Sequence, residues 1–385
     1  MRDANPPLHR ILHVTEAPLG GVVTYLEELV GEQLHSLADV QIDVITPEIN
    51  REALSKLSGP RFSLITFRHR RGSVRALLRM ALLTLRHVRR TRPDILHIHS
   101  TFAGAAIRAF FPLIPKGTHV VYCPHGWAFS REGSSRMRRA TALVERLLAR
   151  VTERIVCISD HERREALAAG ISPDRLVVIE NGISPPPGTG IAGDYLTPAP
   201  ARRLIAFAGR FDRQKGFDTF LEVMRELGDE AEAVAIGSSI TSDEALPDCP
   251  DNVRIIGWQD RATVFDLYRR ADLLLVPSRW EGFGLVAAEA MQQGLAVFAS
   301  QVGGLQDIVV DNETGRLFQP DDVQGIVAMI RATPDAELAR FGENGRRRYL
   351  ARYTTAQMTA KVTALYNELL AGKAGAGVVS ARHIL

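Results

Sequence analysis

The sequence predicts an α/β protein made of two consecutive doubly wound parallel-sheet domains. Three observations predict it. Short β-rich runs alternate with helical patterns through both halves of the chain. The alternation stops once, in a Pro- and Gly-rich stretch near the middle. The 385 residues are also too many for one ordinary core.

In the front half, "RILHVTE" reads as a strand, followed by "PLGG" and the helical pattern "VVTYLEELVGEQLHS". "VQIDVITP" is the next strand. "SVRALLRMALLTLRHVRRTRP" is a helix ended by Pro93, and "DILHIHS" is a strand. "HVVYCPHG", the helix "SSRMRRATALVERLLARV", then "RIVCISD", "HERREALAAG" and "LVVIENGI" complete a first domain over residues 1–183. Residues 184–202, "SPPPGTGIAGDYLTPAPAR", read as a linker.

The alternation restarts over residues 203–350 with "RLIAFAGR", "FDTFLEVMRELG", "EAVAIGS", "VRIIGW", "ATVFDLYRRA", "LLLVPS", "GLVAAEAMQQG", "AVFAS" and "VQGIVAMIRATP". A last helix is expected over 351–371 and a frayed tail over 372–385.

Apolar content of 45% and charged content of 24% fit a globular protein. Three widely spaced cysteines, Cys123, Cys157 and Cys249, give neither a disulfide framework nor metal-ligand spacing, as expected in a reducing cytosol. The opening "MRDANPPLHRILHV" lacks the long apolar core of a secretory signal. "FAGAAIRAFFPLIP" is too short to span a bilayer and is broken by Arg108. Residues 1–190 carry 26 Lys and Arg against 18 Asp and Glu, whereas residues 191–385 carry 21 against 26. A basic front half suggests an anionic partner on that side.

Ligands of such sheets bind outside the carboxyl ends of strands, so the loops there hold the candidate residues. Gly20 and Gly21 follow the first strand and open a helix. They suit an anion beside helix N–H groups, though they also suit a plain tight turn. The strand "LIAFAG" ends at Gly209, and Arg210 and Lys215 precede the next helix. Together they offer a fork of donors and a point charge to a diphosphate; the alternative is a solvated charge cluster. Arg213 reads as a surface residue.

In "SRWEGFGLVAAEAM", Glu281 lies in a turn and Glu289 in the helix behind it, with the N–H groups of Gly282, Phe283, Gly284 and Leu285 between them. Carboxylates there can accept from paired sugar hydroxyls. The alternative is a helix-dipole Glu and an unrelated surface Glu. Ala287, Ala288, Ala290 and Met291 make the surroundings of Glu289 apolar.

His97 and His99 share one face of a strand, and His125 lies between Pro124 and Gly126 at a strand end. Each single histidine is equally a structural residue. Residues 68–93 contain nine arginines and no acid. Val74, Leu77, Leu78, Ala81, Leu82, Leu85 and Val88 recur at helical spacing as a core face. The charged remainder over 68–92 suits an anionic membrane surface, or is only a solvated face. No nucleic-acid motif accompanies it.

Taken together, "GGV" at 20–22, "PHG" at 124–126, "NGI" at 181–183, "GRFDRQKG" at 209–216, "EGFGLVAAEAM" at 281–291 and "GGLQDIVVDNETGRLF" at 303–318 resemble the GT-B retaining glycosyltransferases of family 4, group 1. They follow the family's order and span nearly the whole chain. The Glu-x7-Glu segment with Gly-Phe-Gly is the most specific of them. The resemblance implies two Rossmann-like domains facing a cleft, with the last helix packing back on the first domain.

The resemblance also implies site roles. Glu289 would hold the ribose of a UDP- or GDP-sugar, and Glu281 a hydroxyl of the transferred hexose. Arg210 and Lys215, with Gly209, would hold the diphosphate in place of a metal, and Gly20 and Gly21 would approach the same phosphates. His125 would line the sugar and acceptor pocket. The acceptor would be lipid-linked or a glycan, and the enzyme cytoplasmic and peripheral on the membrane.

The chain departs from the family pattern at Glu180 and Ser184 in "IENGIS" and at Asp307 in "GGLQDIV". "YCPHGWAFS" resembles versions found in exopolysaccharide and lipid-linked oligosaccharide assembly. A GT-B epimerase or phosphorylase, and a non-catalytic nucleotide-sugar-binding scaffold, are the other readings.

Overall fold

The computed structural model describes residues 8–18, 20–69, 73–130, 134–185, 202–238 and 248–380, with side chains followed to residue 372. Most of the expected linker, the last five residues of the tail and two arginines of the basic run lie outside the described residues. The chain divides into two compact units. One runs to Gly182 and resumes at Thr355; the other is Ile183–Thr354.

The first unit contains β1 (Arg10–Thr15), α1 (Gly21–Ser36), β2 (Gln41–Pro47), β3 (Phe62–Phe67), α2 (Val74–Thr91), β4 (Ile95–His99) and α3 (Thr101–Arg108). It continues with β5 (His119–Cys123), α4 (Ser135–Leu148), β6 (Arg154–Cys157), α5 (Asp160–Ala168) and β7 (Leu176–Val178). The sheet is parallel, in the order β3-β2-β1-β4-β5-β6-β7. β1, β2, β4 and β5 are buried along almost their whole length because helices cover both faces.

The second unit contains β8 (Arg203–Ala208), α6 (Phe217–Leu227), β9 (Ala231–Ile236), β10 (Val253–Ile255), α7 (Arg261–Arg270), β11 (Leu273–Val276) and α8 (Leu285–Gln293). β12 (Ala296–Ser300), α9 (Leu305–Ile308), β13 (Gly315–Phe318), α10 (Val323–Ala332) and α11 (Asp335–Arg352) follow. Its parallel sheet runs β10-β9-β8-β11-β12-β13.

Each sheet reverses its winding direction once, between β1 and β4 in the first unit and between β8 and β11 in the second. At such a switch the loops leaving the two neighbouring strands diverge and open a crevice for ligand. Those loops contain most of the residues singled out from the sequence.

Two strands escaped the periodicity, β3 and β13. Both lie at sheet edges. The last helix also differs from expectation. α11 ends at Arg352, and the Tyr353 carbonyl accepts from Ile183 N–H at 2.9 Å, which draws the chain out of the helix. α12 then runs Thr355–Ser380, beyond the expected end at 371.

α12 belongs to the first unit. Met358, Val362, Leu365, Tyr366 and Leu369 form its buried stripe. Glu180, a departure from the family pattern, pairs with Lys361 of α12 at 2.9 Å.

α2 corrects another expectation. Ala76, Met80, Ala81, Leu85 and Val88 are buried, but Val74, Leu78 and Leu82 are 68%, 46% and 51% exposed. The apolar arc of this helix is wider than the strip the unit covers. Leucines therefore share the outer face with arginines.

Candidate functional site

The second unit gathers charged side chains at its switch point. Because β8 and β11 are neighbours, the loop after β8 meets the loop after β11. Phe211 and Phe217 bracket the first loop and stack with ring centroids 3.9 Å apart. Such a pair contributes about 1 kcal/mol beyond its area burial and anchors both ends of the loop.

Arg210, just before Phe211, pairs with Asp212 at 3.3 Å and donates to Gln214 Oε1. Asp212 also accepts from Lys215 N–H at 3.0 Å. Gln214 ties the loops together, donating from Nε2 to the Trp280 carbonyl at 3.3 Å and accepting from Arg279 N–H at 2.9 Å. Lys215 Nζ forms an ion pair with Glu281 Oε2. Arg213 is exposed.

Gly216, at φ 65, sits where an added Cβ would lie 2.0 Å from the Pro277 carbonyl oxygen. Only glycine lets the two loops approach this closely. The turn holding Glu281 is supported from behind by Gly303 and Gly304. Gly304 N–H donates to the Glu281 carbonyl at 3.0 Å. Gly303 is at φ 50, and a Cβ there would fall 1.7 Å from the same oxygen.

Glu289 is the fifth residue of α8 and is partly buried, beside fully buried Ala287, Ala288, Ala290 and Met291. It bears electrostatically on Tyr268 of α7, whose hydroxyl is pushed well above its ordinary range mainly by burial.

Eight of the helix N-termini show two contrasting kinds of start. α2, α4, α5, α7 and α10 are capped by the side chains of Ser73, Ser134, Ser159, Asp260 and Asp322. α1, α6 and α8 open instead at Gly20, Gly216 and Gly284, all at positive φ, with no side-chain cap. A glycine cap leaves the first N–H groups to an acceptor from outside the helix, which is how helix N-termini hold phosphate. Gly21 is the first residue of α1. Gly282, Phe283, Gly284 and Leu285 form the entry to α8.

In the first unit, Tyr25 of α1 packs edge-on against His125, with centroids 4.6 Å apart. That contact brings the Gly20–Gly21 helix and the "PHG" loop together. His125 is at φ 52, an unusual conformation for a side chain of its size. The residue is partly buried, and burial pushes its pKa down to about 3, so the ring is neutral.

Glu162 of α5 holds this loop from beneath. It accepts from Gly126 N–H at 2.5 Å and Ile158 N–H at 2.9 Å, while its carbonyl accepts from the Trp127 indole. Burial pushes its carboxyl up to about 8. Glu16, just after β1, accepts from Ser100 Oγ and Ala103 N–H, and burial raises its pKa also.

Behind His125 lies a buried histidine chain. β1 and β4 pair in a register that sets His13 opposite His97. His99 Nδ1 lies 3.1 Å from His125 Nε2, and His99 Nε2 lies 3.0 Å from His13 Nδ1. His13 Nε2 lies 3.0 Å from Gln33 Oε1. Burial pushes His13 down to about 4 and holds His97 and His99 well below the ordinary histidine range.

Two family descriptions match this chain: "Glycosyltransferase Family 4" over residues 19–185 and "Glycosyl transferases group 1" over residues 196–348. The chain belongs to the family 4, group 1 glycosyltransferases. Among curated relatives, it is 29% identical to an uncharacterized 41.2 kDa protein in the cps region of Klebsiella pneumoniae, over 83% of this chain and 88% of that one. It is also 29% identical to the lipopolysaccharide core biosynthesis mannosyltransferase LpcC of Rhizobium leguminosarum bv. viciae, over 62% and 70%. Among solved structures, Anabaena HepE in complex with UDP-glucose superposes with a TM-score of 0.75 at 16% identity, covering 93% of this chain and 99% of that one. At that identity the likeness shows the fold, which is GT-B.

In this glycosyltransferase, Arg210, Lys215, Glu281 and the α8 entry come together within the second unit, with Glu289 further along the same helix. Gly20, Gly21 and His125 come together within the first. Sequence reading missed Asp212 and Gln214, which orient the cations, and it missed Glu162. "SDHE" at 159–162 carries a capping-box signature that marks Glu162 as a structural carboxylate, though not which loop it serves.

Proposed function

We propose that this glycosyltransferase moves a hexose, with retention of configuration, from a UDP- or GDP-sugar to a lipid-linked or glycan acceptor in polysaccharide, lipopolysaccharide or glycolipid assembly. The observation that carries the reading is the Lys215–Glu281 ion pair between two uncapped helix N-termini, with Arg210 alongside. Lys215 and Arg210 bind the diphosphate and stabilise its growing charge as the bond from the sugar C1 to the phosphate oxygen breaks. Because two cations and helix N–H groups carry that charge, the transfer step needs no metal at the diphosphate.

When donor enters, Lys215 exchanges Glu281 for phosphate, and Glu281 accepts from a hydroxyl of the hexose. Glu289 accepts from the ribose hydroxyls. The acceptor oxygen bonds C1 on the face the phosphate leaves, and its proton passes to the departing phosphate oxygen. No pair of glycosidase-like carboxylates is then required. His125, neutral and fixed by its loop, lines the sugar and acceptor pocket. HepE's complex with UDP-glucose and LpcC's description as a lipopolysaccharide core mannosyltransferase support this class of donor and product.

The acceptor reading includes the membrane. None of the described helices is long and apolar enough to cross a bilayer. α2 exposes Leu78 and Leu82 with Arg75, Arg79 and Arg86; α4 exposes Met137, Val144 and Leu147 with Arg136, Arg138 and Arg139. That mixture suits an anionic lipid surface on the cytoplasmic side.

A thermal-shift screen of UDP, GDP, ADP and their sugars tests the donor, since a ligand of the folded state raises the melting temperature by mass action. One nucleotide series should stabilise the chain, and its sugar should be transferred. Donor conversion without acceptor would indicate an epimerase. Binding without turnover over a broad acceptor panel would indicate a scaffold.

A further inference from the structure

The histidines at the β1–β4 switch have a use that the transfer reading leaves out. One ring nitrogen from each of His13, His97 and His99 lies within 4.8 Å of the others, and all three residues are fully buried. We propose that His13, His97 and His99 form a three-imidazole site for a divalent transition metal, Zn²⁺ by its donor set.

Three features of the trio argue for this. The first is the spacing. A tetrahedral zinc with nitrogens at about 2.0–2.1 Å holds them roughly 3.3 Å apart. The 3.0 Å between His13 Nδ1 and His99 Nε2 is close to that, and the 4.8 Å limit of the trio leaves at most about 1.5 Å to close when the ion binds. The second is His97 Nε2, a buried nitrogen with no hydrogen-bond partner among the described residues. A native protein seldom leaves such an atom without a use.

The third is the outer ring of contacts. A metal-bound histidine normally has its other nitrogen held by a hydrogen bond, and here all three do. His13 Nε2 has Gln33 Oε1 at 3.0 Å, His97 Nδ1 has Tyr366 Oη at 2.6 Å, and His99 Nδ1 has His125 Nε2 at 3.1 Å. A second trio, His99, Cys123 and His125, shares His99 but involves a partly open residue. The first trio is the one whose ligands are all fully buried.

The proton count has a consequence. With Gln33 Oε1 accepting from His13 Nε2–H, a neutral chain has His99 Nε2–H donating to His13 Nδ1 and His99 Nδ1 accepting from His125 Nε2–H. An ion needs the lone pair of His99 Nε2, so the His99 proton moves to Nδ1 and donates to His125 Nε2. The His125 proton then resides on Nδ1. No proton leaves, but the tautomer of the histidine assigned to the sugar and acceptor pocket is inverted. The metal assignment is separate from the diphosphate cations Arg210 and Lys215, which lie in the other unit.

The test uses the tag-free full chain, stripped with chelator and titrated with ZnCl₂ by calorimetry and with CoCl₂ by visible absorption. One equivalent of Zn²⁺ should bind, and Co²⁺ should give the strong visible bands of a four-coordinate ion. His13→Ala/His97→Ala should abolish that equivalent. Tyr366→Phe and Gln33→Leu should each weaken it by about 10- to 100-fold at unchanged stoichiometry, and Cys123→Ser should leave it unaltered. Absence of a one-equivalent site in the wild-type chain overturns the proposal. So does a site indifferent to both Tyr366→Phe and Gln33→Leu, a result that stands even where the double alanine variant fails to fold.

Discussion

Lys215 Nζ is paired with Glu281 Oε2 across 66 residues of chain, joining the loop after β8 to the loop after β11. Both side chains are mostly buried, so each depends on the other for charge compensation. Lys215→Ala and Glu281→Gln should each lower transfer kcat/KM by about 10²–10³-fold, the range for removing one stabiliser of developing charge. The swapped variant Lys215→Glu/Glu281→Lys would recover the pair and its melting temperature without recovering transfer. A swapped enzyme that works at the wild-type rate would show the pair to be a strut only.

Under the proposed function, Glu289 should act on binding more than on chemistry. Glu289→Ala should weaken donor affinity about tenfold, the loss of one or two hydrogen bonds to ribose, with a smaller change in kcat at saturating donor. Initial rates over a donor series separate the two parameters. An unchanged donor KM would remove the ribose assignment.

Gly303 tests the support beneath the Glu281 turn. Gly303→Ala forces a Cβ onto the Glu281 carbonyl at a left-handed φ. The cost should be at least about 2–3 kcal/mol, read as a lower urea midpoint. A midpoint unmoved by the substitution would contradict the close approach.

Glu162 makes the first unit sensitive to alkali. Its folded pKa of about 8 lies above the ordinary 4.5, so between those values the folded chain holds a proton that the unfolded chain has lost. Its contribution is therefore full below about pH 4.5 and is lost as pH rises through 8. The melting temperature of the wild-type chain should fall relative to Glu162→Gln across that window. Parallel pH profiles for the two proteins would refute the assignment.

The outer faces of α2 and α4 predict lipid binding. Phosphatidylglycerol vesicles should sediment the protein at low salt and release it as salt screens the arginines. Leu78→Glu/Leu82→Glu should abolish sedimentation while leaving the fold intact, since both side chains are exposed. No sedimentation at low salt would end this part of the proposal.

The alternation of strands and helices made both sheets legible in the sequence, because buried parallel strands and covering helices leave strong periodic patterns. So did the site residues that lie on one continuous segment, such as Glu281, Gly284 and Glu289. What local pattern does not contain is register. Nothing near His13 announces that it will sit opposite His97, and nothing near Lys215 announces Glu281. The exposed leucines of α2 were misread for a related reason. Helical spacing shows that an apolar arc exists, but the neighbouring elements decide how much of it is covered. Gln214 and Glu162 were overlooked because a polar residue in a loop or at a helix start looks the same whether it serves water or a distant backbone.

The return of α12 to the first unit orders events during synthesis. Tyr366, which holds His97, and Lys361, which pairs with Glu180, leave the ribosome only after the whole second unit has emerged. At about 5–20 residues per second that wait lasts on the order of ten to thirty seconds. Through it, the nascent first unit lacks its closing helix, and the surface awaiting Val362 and Leu369 is open to chaperones and to other chains. Docking of α12 therefore reports that the second unit has already been synthesised.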